Sequence, residues 1–262
     1  MNENKTYERV ISLMVRAERK AAALILQAHG ILAETKSGKR DVVTEYDRRV
    51  QELLTAEFHA AMPDAHYFCE EMNEQDRLDA AQLFIIDPID GTMNFVHGFH
   101  HSCISVAYAE HGTVCAAAVY NPYVDEMFTA VRGEGAKLNG SPISVTGADL
   151  SESVVCYGSA PYDPRLADRT FSLVRKAFDL SLDVRREGSA ALDLCTVAAG
   201  RAGLYFELQV SLWDYAAGAL IVREAGGNCC DIEGCDFPKD GGKTSILAGS
   251  PAAVEEFLRL IK

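Results

Sequence analysis

Apolar residues at steps of three and four open the chain. Val10, Met14, Ala17, Ala21, Leu24 and Ala28 predict a helix over residues 7–28. The polar stretch Glu34-Thr35-Lys36-Ser37-Gly38-Lys39-Arg40-Asp41 reads as an exposed, mobile loop. A second helix is expected from Thr44 to about Ala61, closed by Pro63, and Leu83-Phe84-Ile85-Ile86 as a short buried strand. The period then changes to strands at Ser102–Ala109, Thr113–Tyr120 and Asp125–Val131, with turns at His111-Gly112 and Asn121-Pro122, and Gly133 to Gly140 continues the meander. The second half alternates. Strands are expected near Ser153–Tyr157, Leu182–Arg185, Leu204–Phe206 and Ile246–Ala248, and helices near Pro164–Phe178, Ala190–Ala199 and Trp213–Glu224. A last helix is capped by Ser250 with Pro251 at its first position. The mixture predicts two sheets with helices packed between and around them.

A length of 262 residues with 48% hydrophobic side chains fits one domain over residues 1–262. It is read as an α+β half to about residue 150 and an α/β half from about 151. No apolar run is long enough to span a bilayer, and the opening MNENKTYERV has no signal-peptide pattern, so a cytoplasmic protein with no membrane partner is expected. The formal net charge of −13 argues against a nucleic-acid partner. It also repels phosphate esters, so an anionic substrate needs a bound cation or a helix N-terminus. The eight cysteines form no CxxC pair and are expected as reduced thiols; the cluster Cys229, Cys230, Cys235 does not match a zinc knuckle.

Candidate chemistry lies in carboxylates at element boundaries. Phe84-Ile85-Ile86-Asp87-Pro88-Ile89-Asp90-Gly91-Thr92 is read as an apolar strand ending in an acidic turn, with Pro88 fixing the two acids and Gly91 allowing close approach of a ligand. A helix starting near Thr92 would point free N–H groups at a phosphate. Glu70-Glu71 follows the apolar Tyr67-Phe68-Cys69 and by itself reads as a solvated strand end. Asp47 in Thr44-x-x-Asp47 and Asp214 in Ser211-x-x-Asp214 each read alone as helix caps. Gathered on one site, Asp47, Glu70, Asp87, Asp90 and Asp214 would repel one another unless cations lay between them, and hard oxygen ligands select magnesium or manganese over zinc.

With these residues in view, the sequence resembles the inositol monophosphatase family of lithium-sensitive, magnesium-dependent phosphatases. The resemblance rests on Glu70-Glu71, on Asp87-Pro88-Ile89-Asp90-Gly91-Thr92-x-Asn94-Phe95, and on Trp213-Asp214 followed by Gly226-Gly227. Asp41-x-Val43-Thr44-x-x-Asp47, Arg185-x-x-Gly188-Ser189-Ala190-Ala191 and Gly133-x-Gly135-Ala136-x-x-Asn139-Gly140 support it. It implies a mixed α/β, five-layer αβαβα sandwich, often dimeric, so a homodimer is expected. It implies two or three Mg2+ ions, with lithium inhibitory. Glu70, Asp87 and the Ile89 carbonyl would hold a first ion, Asp87, Asp90 and Asp214 a second, and Glu70 would help place a third through water. Thr92, hydrogen-bonded to Asp47, would orient and deprotonate the attacking water. The N–H groups of Gly91 and Thr92 would hold phosphate. Gly188, Ser189 and Ala190 would line the substrate pocket near Arg185, beside Asp90 and Asp214, and Glu207 would accept substrate hydroxyls. Lys36 would lie on the loop covering the site.

Cys69, His100-His101 and Gln209-Val210-Ser211 depart from the family pattern and leave the metal ligands intact. The function implied is hydrolysis of inositol monophosphate or a similar polyol or sugar phosphate. The same chemistry on fructose 1,6-bisphosphate, histidinol phosphate or a nucleotide 3′-phosphate is an alternative. Another is a binding protein that contacts transcription machinery. A haloacid-dehalogenase-type site needs Asp-x-Asp, whereas the spacing here is Asp87-x-x-Asp90, which turns the second carboxylate elsewhere.

Overall fold

The computed structural model describes residues 3–38, 40–72 and 77–261. Helix α1 (Glu3–Leu26) leads into a hairpin of β1 (Ala33–Gly38) and β2 (Asp41–Thr44), followed by α2 (Glu45–Ala61). Strands β3 (His66–Cys69) and β4 (Leu83–Asp90) precede the short helix α3 (Thr92–Val96). The meander β5 (Cys103–Glu110), β6 (Thr113–Asn121), β7 (Glu126–Val131), β8 (Gly135–Leu138) and β9 (Ser141–Ile143) completes a seven-stranded sheet in sequence order from β3 to β9. Only the β3–β4 pair in it is parallel. The remaining elements are β10 (Val154–Tyr157), α4 (Ala167–Leu180), β11 (Asp183–Arg185), α5 (Ala190–Ala198), β12 (Leu204–Val210), α6 (Leu212–Glu224), β13 (Asn228–Cys230), β14 (Thr244–Gly249) and α7 (Pro251–Ile261). Their five strands are ordered β11-β10-β12-β14-β13.

The period-two pattern of β4 sorts the layers. Phe84 and Ile86 meet α1 and α2 through Met14, Ala21, Leu54 and Phe58, with Phe58 stacked on Phe84 at 4.2 Å. Ile85 belongs to the opposite core, with Leu194 and Val197 of α5 and Ala217 and Ile221 of α6. That core also takes in Tyr205, Ile246 and Ala248 of the second sheet. Phe206, Leu204 and Leu247 pack with Leu173 and Ala177 of α4 and Phe257 of α7. Every residue of α6 from Tyr215 to Val222 is buried, as expected of a helix between two sheets. The five-layer sandwich expected from the family resemblance is the fold observed.

Two expectations need correction, and one element was not foreseen. The stretch 34–41, read as a loop, is largely the β1–β2 hairpin, whose pairing through backbone groups leaves no apolar period to read. The acidic turn after Ile86 is a continuation of β4, fully buried to Asp90. Strand β13, only three residues long, had no legible pattern. All eight cysteines are free thiols, as expected. No helix among the described residues is long and apolar enough to cross a membrane.

Glu18 lies on the core side of α1, fully buried, and neither carboxyl oxygen has a hydrogen-bond partner among the described residues. Burial holds its carboxyl well above the ordinary 4.5. The folded state therefore keeps a proton that the unfolded chain releases, and the wild type loses stability as pH rises above about 4.5. We expect Glu18→Leu to raise stability near neutral pH by about 1–3 kcal/mol, with a smaller gain in acid. Denaturant unfolding at the two pH values checks this; equal stability at both would mean that the carboxyl has a partner.

Candidate active site

Strand β4 supplies the centre of the site. Its register against β5 pairs Asp87 with Ser105 and Asp90 with Cys103, so β4 carries one extra residue between the two acids. Such a bulge tolerates Pro88, which has no N–H to pair, and re-aims the side chains around it. Asp87 and Asp90 are both buried, at 2% and 8% exposure, yet both reach the wall of one cavity of ≈610 Å³. Asp87 Oδ1 accepts the Ile89 N–H at 3.0 Å. Gly91 follows at φ +88, where a Cβ would come within 3.1 Å of the His101 carbonyl and 3.2 Å of the Gly188 carbonyl. The glycine is thus required by close approach of this chain's own backbone.

Two helix caps reach into the same place. Thr44 and Asp47 form a capping box on α2, and Ser211 and Asp214 form one on α6. In each, one carboxyl oxygen serves the cap: Asp47 Oδ2 accepts the Thr44 N–H at 2.8 Å, and Asp214 Oδ2 accepts the Ser211 N–H at 2.7 Å. The other oxygen of Asp47 accepts from Thr92 Oγ1 at 3.2 Å. Thr92 also lies 3.0 Å from the Ile89 carbonyl. Asp47 stands behind Thr92, while Asp214 lines the cavity itself. Capping and site membership are therefore compatible, because a carboxylate has oxygens for both.

Glu70 arrives from the end of β3, where its N–H bonds the Ile86 carbonyl at 3.1 Å. Lys36 of β1 donates to Glu70 at 2.9 Å and also to Glu71. On the opposite wall, Asp90 Oδ2 accepts Ser189 Oγ at 2.5 Å and the Ala191 N–H at 2.7 Å, tying β4 to the start of α5. Glu207 accepts the Ala160 N–H at 2.7 Å and the Tyr205 hydroxyl at 2.8 Å.

The electrostatics follow from crowding. Burial, then Glu70, Asp90 and Asp214, hold the Asp87 carboxyl well above its usual range. Asp214 is pushed well up by desolvation, then by Asp90 and Glu70. Desolvation also raises Glu70, against the pull of Lys36. Burial raises Asp90 to about 6, although its bonds from Ser189 and Ala191 pull the other way. Burial pulls the Lys36 ammonium down, but Glu70 and Glu71 outweigh it and hold its pKa above the usual range.

The donor set is all oxygen and fits Mg2+ or Mn2+ rather than zinc. Glu70, Asp87, Asp90, Asp214 and Ile89 line one cavity, and desolvation and mutual repulsion raise all four carboxyls there, an arrangement divalent cations relieve. Among the described residues no three acidic, histidine or cysteine side chains are already closed on a point as a finished ligand cage. Lys36 engages Glu70, and Ser189 and Ala191 engage Asp90, so binding requires these carboxyls to exchange partners.

Of the residues singled out by sequence, Lys36, Glu70, Asp87, Ile89, Asp90, Gly91, Thr92, Gly188, Ser189, Ala190, Glu207 and Asp214 line the cavity. Arg185 does not. It is ion-paired to Asp183 and bonded to the Val184 carbonyl, and the neighbouring Arg186 takes the place on the wall expected for it. In an extended segment adjacent side chains point to opposite sides, so a one-residue error changes the face. Asp193 and Gly158 were missed. Asp193 sits inside α5 and lines the cavity, and its Oδ1 is buried with no hydrogen-bond partner among the described residues. Nothing local distinguishes it from an ordinary helix acid.

Gly158 carries a consequence for Glu207. A Cβ there would fall 1.8 Å from Glu207 Oε2 and 2.0 Å from its carboxyl carbon. Gly158→Ala is expected to displace Glu207 from its bonds to the Ala160 N–H and the Tyr205 hydroxyl. A crystal structure of the variant checks this; an unmoved Glu207 would mean that the backbone at position 158 yields instead.

The family model described as "Inositol monophosphatase family" matches residues 6–262. The Nus factor SuhB of Pasteurella multocida is 38% identical over 257 residues, 97% of this chain and 96% of the relative. The extragenic suppressor protein suhB from Bartonella henselae superposes with a TM-score of 0.90 at 34% identity, covering 97% of this chain and 98% of that one. The Thermotoga maritima IMPase superposes at 0.87 and 32% identity, covering 97% and 96%. A match spanning nearly the whole chain, together with relatives more than 30% identical, places this protein in the inositol monophosphatase family.

Proposed function

We propose that the protein is a magnesium-dependent phosphomonoesterase acting on a small phosphorylated polyol or sugar, with inositol monophosphate as the first candidate. The carrying observation is that Glu70, just past the end of β3, Asp87 and Asp90 of β4 and Asp214 of α6 share a cavity with Glu207. Glu70, Asp87, Asp90, Asp214 and the Ile89 carbonyl would hold the divalent ions. When bound, such ions acidify water, draw an anionic ester into an acidic cavity and offset charge on the leaving oxygen.

The chain's own residues do the rest. Thr92 commits its hydroxyl proton to Asp47 or to the Ile89 carbonyl, leaving its oxygen to accept a hydrogen bond from the attacking water. Asp47, raised by burial despite its bonds to Thr44, is suited to take up that proton. The N–H groups of Gly91 and Thr92 hold phosphate oxygens. Glu207, fixed by Tyr205 and Ala160, keeps lone pairs for substrate hydroxyls. Ser189 and Ala190 bound the pocket beside it.

The test is phosphate release from a panel containing inositol monophosphate, fructose 1,6-bisphosphate, histidinol phosphate and a nucleotide 3′-phosphate, with Mg2+ and with chelator. Release that needs Mg2+ and favours the polyol ester is expected. Equal release in chelator would overturn the metal reading. A strong preference for the nucleotide would overturn the substrate.

The names of the SuhB relatives favour a second role, contact with transcription machinery. It predicts that an Asp90→Asn chain, defective in hydrolysis, still complements loss of the gene in cells. Failure to complement would tie the cellular role to the site.

A further inference from the structure

We propose that a second cavity, of ≈540 Å³ between α6 and the β5–β6 end of the large sheet, binds a small anion carried on an apolar body. It shares no lining residue with the carboxylate cavity. Helix α6 serves both: Asp214, in its first turn, faces the first, and Ala216, Ala219 and Leu220 face the second.

The floor is apolar, made of Leu83, Ile85, Ala216, Ala219 and Leu220, with the Phe237 ring at the side. Around it stand Arg132, Arg223 and Lys239. Three cations on one small cavity are unexpected in a chain of net charge −13. Their structural duties are slight. Arg132 spends Nε on the Val114 carbonyl at 2.8 Å. Arg223 spends Nη2 on the Cys229 carbonyl at 2.9 Å and lies over the Phe237 ring, 5.5 Å from its centre. Among the described residues neither arginine makes an ion pair with an acid of the cavity wall, and Lys239 has no partner. Of the two acids on the wall, Asp79 has both oxygens bonded by Arg77, at 2.9 and 2.6 Å. Asp236 is then the one acid left to oppose three cations.

Tyr215 also lines this cavity, with its ring centre 4.6 Å from that of Phe237, so two aromatic residues stand side by side on the wall. Apolar floor, aromatic wall and a cationic rim together match a carboxylate, sulfonate or phosphate on an aromatic or aliphatic body.

Anilinonaphthalene sulfonate has that chemistry and reports its own binding by fluorescence. With the folded, Mg2+-loaded protein we expect saturable binding of one dye per chain. Arg132→Glu combined with Lys239→Glu should weaken it at least about tenfold, consistent with loss of two charge-assisted contacts. Arg132→Lys combined with Lys239→Arg should retain it, which separates charge from fold, and circular dichroism of both variants should match wild type. Binding that is indifferent to charge reversal overturns the proposal. So does a dye-soaked crystal with the dye in the carboxylate cavity instead.

Discussion

Asp87→Asn is expected to abolish phosphate release and to make the metal-free protein more stable. Asparagine keeps the shape of the side chain and removes the charge that two ions would share. Losing several kcal/mol of charge stabilisation in the transition state corresponds to a rate at least about a thousandfold lower. The stability effect has the opposite sign. Burial and the neighbouring Glu70, Asp90 and Asp214 raise the Asp87 carboxyl well above 3.8, so the folded state holds a proton that the unfolded chain gives up. This carboxyl therefore costs the wild type stability as pH rises above about 3.8, and the asparagine variant is spared that one contribution. In chelator near neutral pH the variant should melt several degrees higher. With saturating Mg2+ the order should reverse, because a cation that binds only the folded wild type stabilises it in proportion to the logarithm of its concentration. Calorimetry with and without Mg2+, beside a phosphate-release assay, measures both halves. A variant as active as wild type would remove Asp87 from the site, and one that melts lower in chelator would mean that the carboxylates already hold one another in place.

The same crowding explains which parts of the site were legible in the sequence. Thr44-x-x-Asp47 and Ser211-x-x-Asp214 were readable as caps because the capping box is local, and both boxes are present. What the pattern could not reveal is that each acid has a second oxygen free for longer-range use, since that depends on how α2 and α6 pack. The layers followed from period: Phe84 and Ile86 on one face of β4, Ile85 on the other. The continuation of β4 through Asp87-Pro88-Ile89-Asp90 was read as a turn because proline and two acids mimic one. It is a bulged strand because β5 supplies partners for both ends of the extra residue. Asp193 and Gly158 escaped notice for a related reason. Their neighbours Asp90 and Glu207 are distant in sequence, so nothing near either residue marks it out. Arg186 was misplaced by one position, where local pattern does not define the face.

Mg2+ binding should weaken steeply in acid, and the chain carries its own reporter. Trp213, the one tryptophan, precedes Asp214, lines the carboxylate cavity and has its ring 5.7 Å from that of Phe68. Its fluorescence should change as cations enter. A cation binds the carboxylate and not the carboxylic acid, so each ligand protonated in the free protein must release a proton on binding. Asp90 is raised to about 6 by burial, and Glu70, Asp87 and Asp214 are raised as well. Below about pH 6 the apparent affinity should therefore fall by about tenfold per pH unit for every proton displaced. Between about pH 7 and about pH 5 we expect the Mg2+ midpoint to rise at least about tenfold, and about a hundredfold or more if two protons leave. Calorimetry in buffers of different ionisation enthalpy counts those protons directly. Asp90→Asn should bind more weakly at neutral pH and show a flatter dependence, since one titrating ligand is gone. A wild-type midpoint that does not move with pH would mean that the ions bind groups other than these buried carboxyls.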